Sequence, residues 1–325
     1  LENTGRYLPK ARVVVITDTN VWRHYGHRFP EGQTIVIGTG EAVKSLETAA
    51  DIYDRLVALK ADRSTFLLGI GGGIVCDITG FVAATYLRGV RFGYVATTLL
   101  AQVDASVGGK TGVNFRGYKN MVGTFNQPEF VICDPSVLSS LAAADLACGF
   151  AEIVKHAAIA DSHYFEMLEE KCDQARALEP PVMARIIYDS VKIKADIVNR
   201  DEREKGQRRK LNFGHTLGHA LEKTRGLRHG EAVSIGMTAA AEVSAAKNLL
   251  PRRQVERLED LLARFDLPTR VEMDWQAVIE ALGRDKKREA DSIYFVLLAG
   301  LGRAVIEPIG LSELAAVLRG QSGTN

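Results

Sequence analysis

Short apolar runs alternate with amphipathic stretches along the first 135 residues. The runs are four to six residues long and rich in valine and isoleucine, as is typical of strands that are buried on both faces of a sheet. Between them, residues 43–60 and 74–87 carry apolar side chains at helical spacing. This order predicts an α/β domain with a parallel sheet and right-handed crossovers. The predicted strands are residues 12–17, 34–37, 66–70, 92–96 and 130–133.

The pattern changes after residue 135, where Asp134-Pro135-Ser136 interrupts the chain. The stretches that follow are long and carry apolar residues at helical spacing, so we expect a mainly α-helical C-terminal domain. Near the end, two short apolar runs flank Gly300-Leu301-Gly302 and predict a small hairpin of residues 293–298 and 304–308. The sequence therefore predicts two domains, residues 1–135 and 136–325. The predicted helices are residues 142–159, 181–200, 215–223, 231–248, 251–265 and 275–282.

Composition narrows the class of protein. The chain has 325 residues, enough for about two domains. Its 41 Lys and Arg against 40 Asp and Glu exclude the broad positive surface of a general nucleic-acid binder, while a local basic pocket stays possible. No apolar run approaches the ~18 residues of a membrane span, and no secretory leader opens the sequence. The four cysteines form no CxxC pair and lie among apolar residues, which predicts reduced, packed thiols in a cytoplasmic protein.

The first candidate for chemistry is the glycine-rich segment of residues 69–77, GIGGGIVCD, between a predicted strand and a predicted helix. Glycines let backbone N–H groups approach a pyrophosphate, and a helix N-terminus favours its charge. Ile74 breaks the GxGxxG pattern, and no decisive acidic residue follows about 20 positions later. A dinucleotide-binding turn and a merely tight strand-to-helix turn both remain open.

The second candidate is the segment of residues 104–114, DASVGGKTGVN. Two glycines before Lys110 are typical of a turn that holds an anion, but Asp104 stands where the first glycine of a P-loop is required. An anion-binding turn and an ordinary surface loop are therefore both compatible with this segment.

Potential metal ligands cluster in the helical half. His215 and His219 lie four residues apart, as do Glu152 and His156, so each pair shares one helix face. His229 stands at a predicted loop-to-helix junction. A single histidine is most often structural. Four histidines and one glutamate together favour a metal site, but spacing alone cannot choose three ligands from these five side chains.

A set of cations would be unusual outside a binding site. Each alone is most often a solvated surface charge, but together with glycine turns and a metal they predict a substrate that carries phosphate and carboxylate groups. They are Arg88, Lys110, Lys119, Lys155, Lys194, Arg208, Lys286 and Lys287.

These segments together resemble the 3-dehydroquinate synthase family, in order and over most of the chain. The resemblance implies a nucleotide-binding α/β domain and a helical metal- and substrate-binding domain, as the pattern itself predicts. The segments that carry it are GGGIVCDITGFVAATYLRG (71–89), TTLLAQVDASVGGKTGVN (97–114), YKNMVGTFNQP (118–128), GFAEIVKHAAI (149–159), VKIKADIV (191–198), RRKLNFGHTLGHALE (208–222), HGEAVSIGM (229–237) and DKK (285–287).

The resemblance also implies roles for individual residues. It assigns a divalent metal, usually zinc with cobalt as an alternative, to Glu152, His215 and His229, and leaves His156 structural. Arg88 matches a residue that reaches the phosphate pocket of a neighbouring subunit, which implies a homodimer. Substrate-binding or catalytic positions are matched by Asp104, Lys110, Asn120, Lys155, Lys194, Arg208, Asn212, His219 and Lys286, with Lys287 as the alternative to Lys286. NAD-contacting positions are matched by Asp18, Asn20, Glu41, Lys44, Gly72, Gly73, Asp77, Thr97, Thr98 and Lys119.

The reaction implied by the resemblance closes 3-deoxy-D-arabino-heptulosonate 7-phosphate into 3-dehydroquinate and phosphate. NAD transiently oxidises the C5 hydroxyl, which acidifies C6 and allows phosphate elimination; reduction and an intramolecular aldol step complete the ring. Three alternatives stay open. The first is a metal-dependent NAD polyol dehydrogenase, and the second is a related sugar-phosphate cyclase such as a 2-deoxy-scyllo-inosose or valiolone synthase. The third is a non-catalytic binding protein derived from the family.

Overall fold

The computed structural model describes residues 1–271 and 292–320. The chain forms two compact units, Leu1–Leu146 and Ala147–Asn325. The helix predicted over residues 275–282, and Lys286 and Lys287, lie outside the described residues. Among the described helices, none is long and apolar enough to cross a membrane.

The first unit is built on a parallel sheet of five strands, as the sequence predicts. In spatial order these are the second, first, third, fourth and seventh strands of the chain, and every neighbouring pair is parallel. The strands of the unit are β1 (Val13–Asp18), β2 (Gln33–Ile37), β3 (Phe66–Gly71), β4 (Arg91–Ala96), β5 (Lys110–Phe115), β6 (Tyr118–Phe125) and β7 (Val131–Cys133).

Both faces of this sheet are buried, which explains the continuous apolar runs. Along β1, Val14 and Ile16 belong to one core cluster, whereas Val13 and Val15 belong to a second. Because successive strand side chains point to opposite faces, one strand contributes to two cores. The α/β fold class is therefore confirmed.

Three helices accompany the sheet: α1 (Thr19–Tyr25), α2 (Leu46–Ala58) and α3 (Gly73–Thr85). Ser45 caps α2 by accepting a hydrogen bond from the Thr48 amide, and the buried side chains Ala49, Ile52 and Leu56 follow the helical period. The short helix α1 has no buried residue, so it left no apolar pattern from which to predict it.

Residues 110–115 form a strand, so the surface-loop interpretation of this part of the segment 104–114 is wrong. β5 and β6 pair as an antiparallel hairpin. A Cβ on Gly112 would lie 2.6 Å from the Val122 carbonyl oxygen, and one on Gly80 of α3 would lie 2.3 Å from Thr111 Cγ2. The hairpin depends on glycines for close approach, and glycine is the residue that most weakens a strand signal in sequence.

The second half is mainly helical, as predicted, and ends its described part with the predicted hairpin and one further helix, Leu311–Gly320. The helix Ser162–Arg176 was not predicted, because charged residues such as Glu169 and Glu170 interrupt its apolar pattern. Its buried residues still follow the helical period. The helices are α4 (Ala143–Ala160), α5 (Ser162–Arg176), α6 (Pro180–Arg200), α7 (His215–Arg225), α8 (His229–Ala246) and α9 (Arg252–Arg264). The hairpin strands are β8 (Ser292–Leu298) and β9 (Ala304–Gly310).

All four cysteines carry free thiols, as the sequence predicts. Cys76, Cys148 and Cys172 are buried. Burial raises the pKa of the half-buried Cys133 to about 12, so this thiol stays protonated at neutral pH.

Candidate active site

Three helices bring one carboxylate and two imidazoles together in the second unit. Glu152 is fully buried in α4, while His215 and His229 are the first residues of α7 and α8. Oε1 of Glu152 lies 3.4 Å from Nε2 of His215 and 3.3 Å from Nε2 of His229. Ligand atoms bound to zinc at about 2.1 Å with tetrahedral angles lie about 3.4 Å apart. The three side chains therefore have the spacing of a three-ligand metal site.

Glycines allow these helices to approach so closely. A Cβ on Gly236 of α8 would lie 2.0 Å from the carbonyl oxygen of Gly214, the residue before α7. A Cβ on Gly230, next to His229, would lie 2.3 Å from Cα of Cys148, one turn before Glu152 on α4. Gly214 also has a φ of 77°, in the left-handed region that favours glycine. Two of the three ligands are thus neighbours of glycines at helix contacts.

Each imidazole is held through its second nitrogen. Nδ1 of His229 lies 2.6 Å from Oε1 of Glu222, and Nδ1 of His215 lies 3.2 Å from the Phe213 carbonyl oxygen. A hydrogen bond from Nδ1–H leaves Nε2 to face Glu152, as in metal sites in which an outer acceptor orients the ligating histidine. Glu222 was not among the residues predicted from the sequence, although its place seven residues after His215 puts it on the same side of α7.

The two imidazoles differ in charge at neutral pH. Burial, together with the nearby Lys155, lowers the pKa of His215 to about 3. Burial also acts to lower the pKa of His229, but hydrogen bonds to Glu152 and Glu222 outweigh it and raise the pKa to about 9. A metal ligand must offer a lone pair, so metal binding at this cluster would release a proton from His229.

Cations are buried in the same unit. Lys155 lies three residues after Glu152 on α4, and its ammonium forms an ion pair with Oε2 of that carboxylate. Lys194 on α6 and Arg208 are also buried, and Arg208 donates a hydrogen bond to the backbone carbonyl of Glu202. Charged side chains are rarely fully buried unless they are paired. Burial marks these three cations out, and their role in a basic pocket stays a prediction.

Three further candidate residues of this unit, His219, Asn212 and His156, lie in the described part of the chain. His219 is exposed; its ring centroid lies 5.4 Å from that of His215, and it is outside the group of three potential ligands. Asn212 donates to Glu204 at 2.5 Å. His156 is buried with Nδ1 2.6 Å from the Ser190 hydroxyl, and its structural role stays a prediction.

In the first unit, sheet order gathers predicted NAD contacts at one edge. The chain moves to opposite sides of β1 to form β2 and β3, and open α/β sheets bind ligands outside the strand ends where the order reverses. Asp18 ends β1, Gly72 and Gly73 follow β3, and Thr97 follows β4. A Cβ on Gly72 would lie 2.9 Å from Thr98 Cγ2, and the buried Thr97 hydroxyl has no hydrogen-bond partner among the described residues.

A polar network lies beside these residues. The buried Lys44 ammonium pairs with Asp77 and donates to Oδ1 of Asn120 at 2.5 Å. The backbone amide of Asn120 donates to Oδ1 of Asn114 at 2.9 Å. Nδ2 of Asn114 donates in turn to Oε1 of Glu41 at 2.8 Å. Lys44 thus links Asp77 directly to Asn120. Glu41 is linked to Asn120 through Asn114, a residue to which the sequence assigned no role.

The other predicted residues of the first unit lie on turns, on exposed strand positions or, for Asn20, on a helix. Asp104 is half-buried in a π-helical turn, Ala101–Ala105. Arg88 is exposed in a segment with positive φ at Leu87 (50°), Arg88 (66°) and Gly89 (122°). Asn20 in α1, Lys110 at the start of β5 and Lys119 in β6 are exposed.

A parallel α/β unit with a ligand edge, followed by a helical unit with a candidate three-ligand metal centre, defines a nucleotide- and metal-binding class of protein. The family description "3-dehydroquinate synthase N-terminal" matches residues 34–148, and "3-dehydroquinate synthase C-terminal" matches residues 149–288. The chain belongs to the 3-dehydroquinate synthase family, which confirms the resemblance drawn from its motifs. Family membership identifies it as an enzyme.

Individual relatives agree with this assignment. A 3-dehydroquinate synthase of Dehalococcoides mccartyi (strain BAV1) is 45% identical over 310 residues, which cover 92% of this chain and 86% of the relative. The 3-dehydroquinate synthase of Symbiobacterium thermophilum is 43% identical over 317 residues, covering 93% and 88%. Among solved structures, ValA, a 2-epi-5-epi-valiolone synthase from Streptomyces hygroscopicus with NAD+ and Zn2+ bound, is 28% identical with a TM-score of 0.88, covering 96% of this chain and 91% of that chain.

Proposed function

We propose that this enzyme converts 3-deoxy-D-arabino-heptulosonate 7-phosphate into 3-dehydroquinate and phosphate, using NAD and a divalent metal, zinc or cobalt. The proposal is supported by family membership and by relatives of 43–45% identity that carry this activity in their names. The structural observation that carries it is the buried Lys155 paired with Glu152. A buried cation paired with the carboxylate of a candidate metal ligand suits an anionic substrate. A polyol dehydrogenase has no need of such a cation.

The side chains present fit both groups. Glu152, His215 and His229 would hold the metal, because their donor atoms face one another and both histidines have outer acceptors. Bound there, the metal would supply Lewis-acid polarisation of substrate hydroxyls. The strand-end edge of the first unit would hold NAD, which supplies a reversible acceptor for hydride. In the proposed division, residues 1–135 bind NAD and residues 136–325 bind metal and substrate.

The chain's own residues would do the remaining work by charge and placement. Lys155, Lys194 and Arg208 are proposed to neutralise the substrate's phosphate and carboxylate, each such charge-assisted contact contributing on the order of 1.5–3 kcal/mol. His219 is exposed beside His215, so it is proposed to touch substrate and move a proton at a hydroxyl. Asp104, Lys110, Asn120, Asn212 and Lys286 complete the proposed substrate set.

We further propose a cytoplasmic homodimer in which Arg88 acts on the neighbouring subunit's substrate. The free thiols support a reducing compartment. A positive φ at two successive non-glycine residues, Leu87 and Arg88, is costly, and the exposure of both side chains supports a role outside the unit's own core. Exposed apolar side chains on the β5–β6 hairpin, such as Tyr118 and Phe125, offer surface for a second copy.

The decisive experiment measures phosphate release from the heptulosonate phosphate together with absorbance of reduced nicotinamide. We expect phosphate release that requires NAD and metal, without accumulation of NADH, since the oxidation is reversed within each turnover. NADH that rises in step with product would instead identify a polyol dehydrogenase. A hexose phosphate without a carboxylate serves as the comparison substrate, and its preferential turnover would favour a related cyclase.

A further inference from the structure

The two candidate histidine ligands are held by acceptors of different kinds. His215 has the neutral backbone carbonyl of Phe213 at 3.2 Å, whereas His229 has the Glu222 carboxylate at 2.6 Å. Hydrogen bonds to an ionised acceptor are shorter and stronger than those between neutral groups. The orientation of His229 therefore depends on a side chain, while that of His215 depends on backbone.

The position of Glu222 makes this contact specific. Its side chain is only 8% exposed, so neighbouring protein atoms restrict its conformation. It follows His215 by seven residues on α7, which is about 20° short of two full turns. One face of α7 thus carries both a candidate ligand and the acceptor for the candidate ligand on α8.

We propose that Glu222 is a positioning residue of the metal centre: its carboxylate accepts the Nδ1–H hydrogen bond of His229 and so aims the Nε2 lone pair at the point shared with Glu152 and His215. The proposal rests on the metal centre of the proposed function, but it does not depend on which substrate is converted. Glu222 itself does not contact the metal, substrate or NAD in this role.

The direct measurement is zinc affinity, determined by competition with a chromogenic chelator and without substrate. Removal of such an outer acceptor weakens metal binding by about 10–100-fold, and we expect this loss for Glu222→Ala. Glu222→Gln retains an oxygen that accepts from Nδ1–H, so it should recover most of the affinity. Cobalt loading gives a second readout, since a displaced His229 would change the visible absorption of the bound ion in Glu222→Ala but not in Glu222→Gln.

Glu231→Gln is the matched control. Glu231 lies two residues after His229 in the first turn of α8 and accepts from the Arg228 backbone amide at 3.0 Å. Within the described part of the chain, its side chain forms no hydrogen bond with a candidate ligand. This variant should bind zinc as the unchanged protein does. Thermal unfolding of each variant shows whether it is folded. If Glu222→Ala is not, a folded Glu222→Gln still decides: its zinc affinity and cobalt spectrum should stay close to those of the unchanged protein, and a loss of affinity of about 10-fold or more would overturn the hydrogen-bond role.

The outcomes separate the positioning role from the proposed function. Unchanged zinc affinity in Glu222→Ala, or equal losses in Glu222→Ala and Glu222→Gln, would overturn the hydrogen-bond role of Glu222 and leave the synthase activity standing. An unchanged protein that binds zinc tightly but does not release phosphate would overturn the proposed reaction and leave Glu222 as the positioning residue. A protein that binds no zinc would overturn both.

Discussion

The two candidate binding regions of this protein are built in different ways. At the edge of the first unit, Gly72 and Thr97 follow parallel strands whose register places their ends side by side. In the second unit, His215 and His229 begin two helices that touch through glycines. The first region offers backbone and turn groups along an edge, whereas the second focuses three side-chain atoms within 4.8 Å of one another.

The two constructions should respond differently to substitution of single side chains. A site at strand ends is positioned by many ladder hydrogen bonds, so single side chains there should change affinity without moving the site. A site at helix starts depends on a few contacts between helices and on each ligand atom. Four substitutions test this contrast, in order of decreasing expected effect.

Loss of one metal ligand should have the largest effect. His215→Ala is expected to weaken zinc binding by about 10³-fold or more, because two ligands hold the ion far less well than three, while NAD affinity should change little. Zinc content after dialysis and NAD titration measure the two properties. His219→Ala is the control: it should keep zinc and lose roughly 10²–10⁴-fold in turnover if this histidine moves a proton. Retention of zinc by His215→Ala and its loss by His219→Ala would refute the ligand set.

Breaking the buried ion pair of the first unit should come next. Lys44→Ala leaves the Asp77 carboxylate without its ammonium partner; the side chains are 7% and 20% exposed. We expect a loss of about 3 kcal/mol in the free energy of unfolding, at the lower end for a buried pair, and weaker NAD binding with zinc content unchanged. Urea denaturation measures the free energy of unfolding. Arg55→Ala, which breaks the exposed pair with Asp51, should leave both stability and NAD binding unaltered, and equal effects of the two variants would contradict the network's role.

A methyl group at the helix contact should have an intermediate effect. Gly236→Ala would place its Cβ 2.0 Å from the Gly214 carbonyl oxygen, and overpacking of this kind costs about 2 kcal/mol. Zinc affinity should fall as well, because His215 follows Gly214. In Gly310→Ala the nearest atom is 3.9 Å away, so neither property should change. Normal zinc affinity in a folded Gly236→Ala would show that the ligands do not depend on this contact.

Removal of a helix cap should have the smallest effect. Asp18 accepts from the Asn20 and Val21 amides at 2.8 and 2.9 Å, and Ser45 caps α2 in the same manner. Asp18→Ala and Ser45→Ala should each cost about 1 kcal/mol in the free energy of unfolding. Only Asp18→Ala should also weaken NAD binding, as measured by titration. Identical NAD affinities would reduce Asp18 to a cap.

The local elements of this protein could be predicted from its amino-acid pattern. All five strands of the parallel sheet and five of the later helices lie close to their predicted positions, because the spacing of apolar residues reports which face of an element is buried. The donors of the metal centre were among the five candidates, and the motifs led to the family.

Which of these residues contact one another depends on how the elements pack. The Lys44–Asn120 contact joins residues 76 positions apart, and the Glu222–His229 hydrogen bond joins two different helices, so neither leaves a periodic signal. The β5–β6 hairpin joins neighbouring stretches of the chain, but its glycines weaken the strand pattern. The contact of Gly230 with Cys148 brings together helices that are about 80 residues apart. Periodicity records whether a side chain is buried but not against what, so the convergence of Glu152, His215 and His229 is a property of packing.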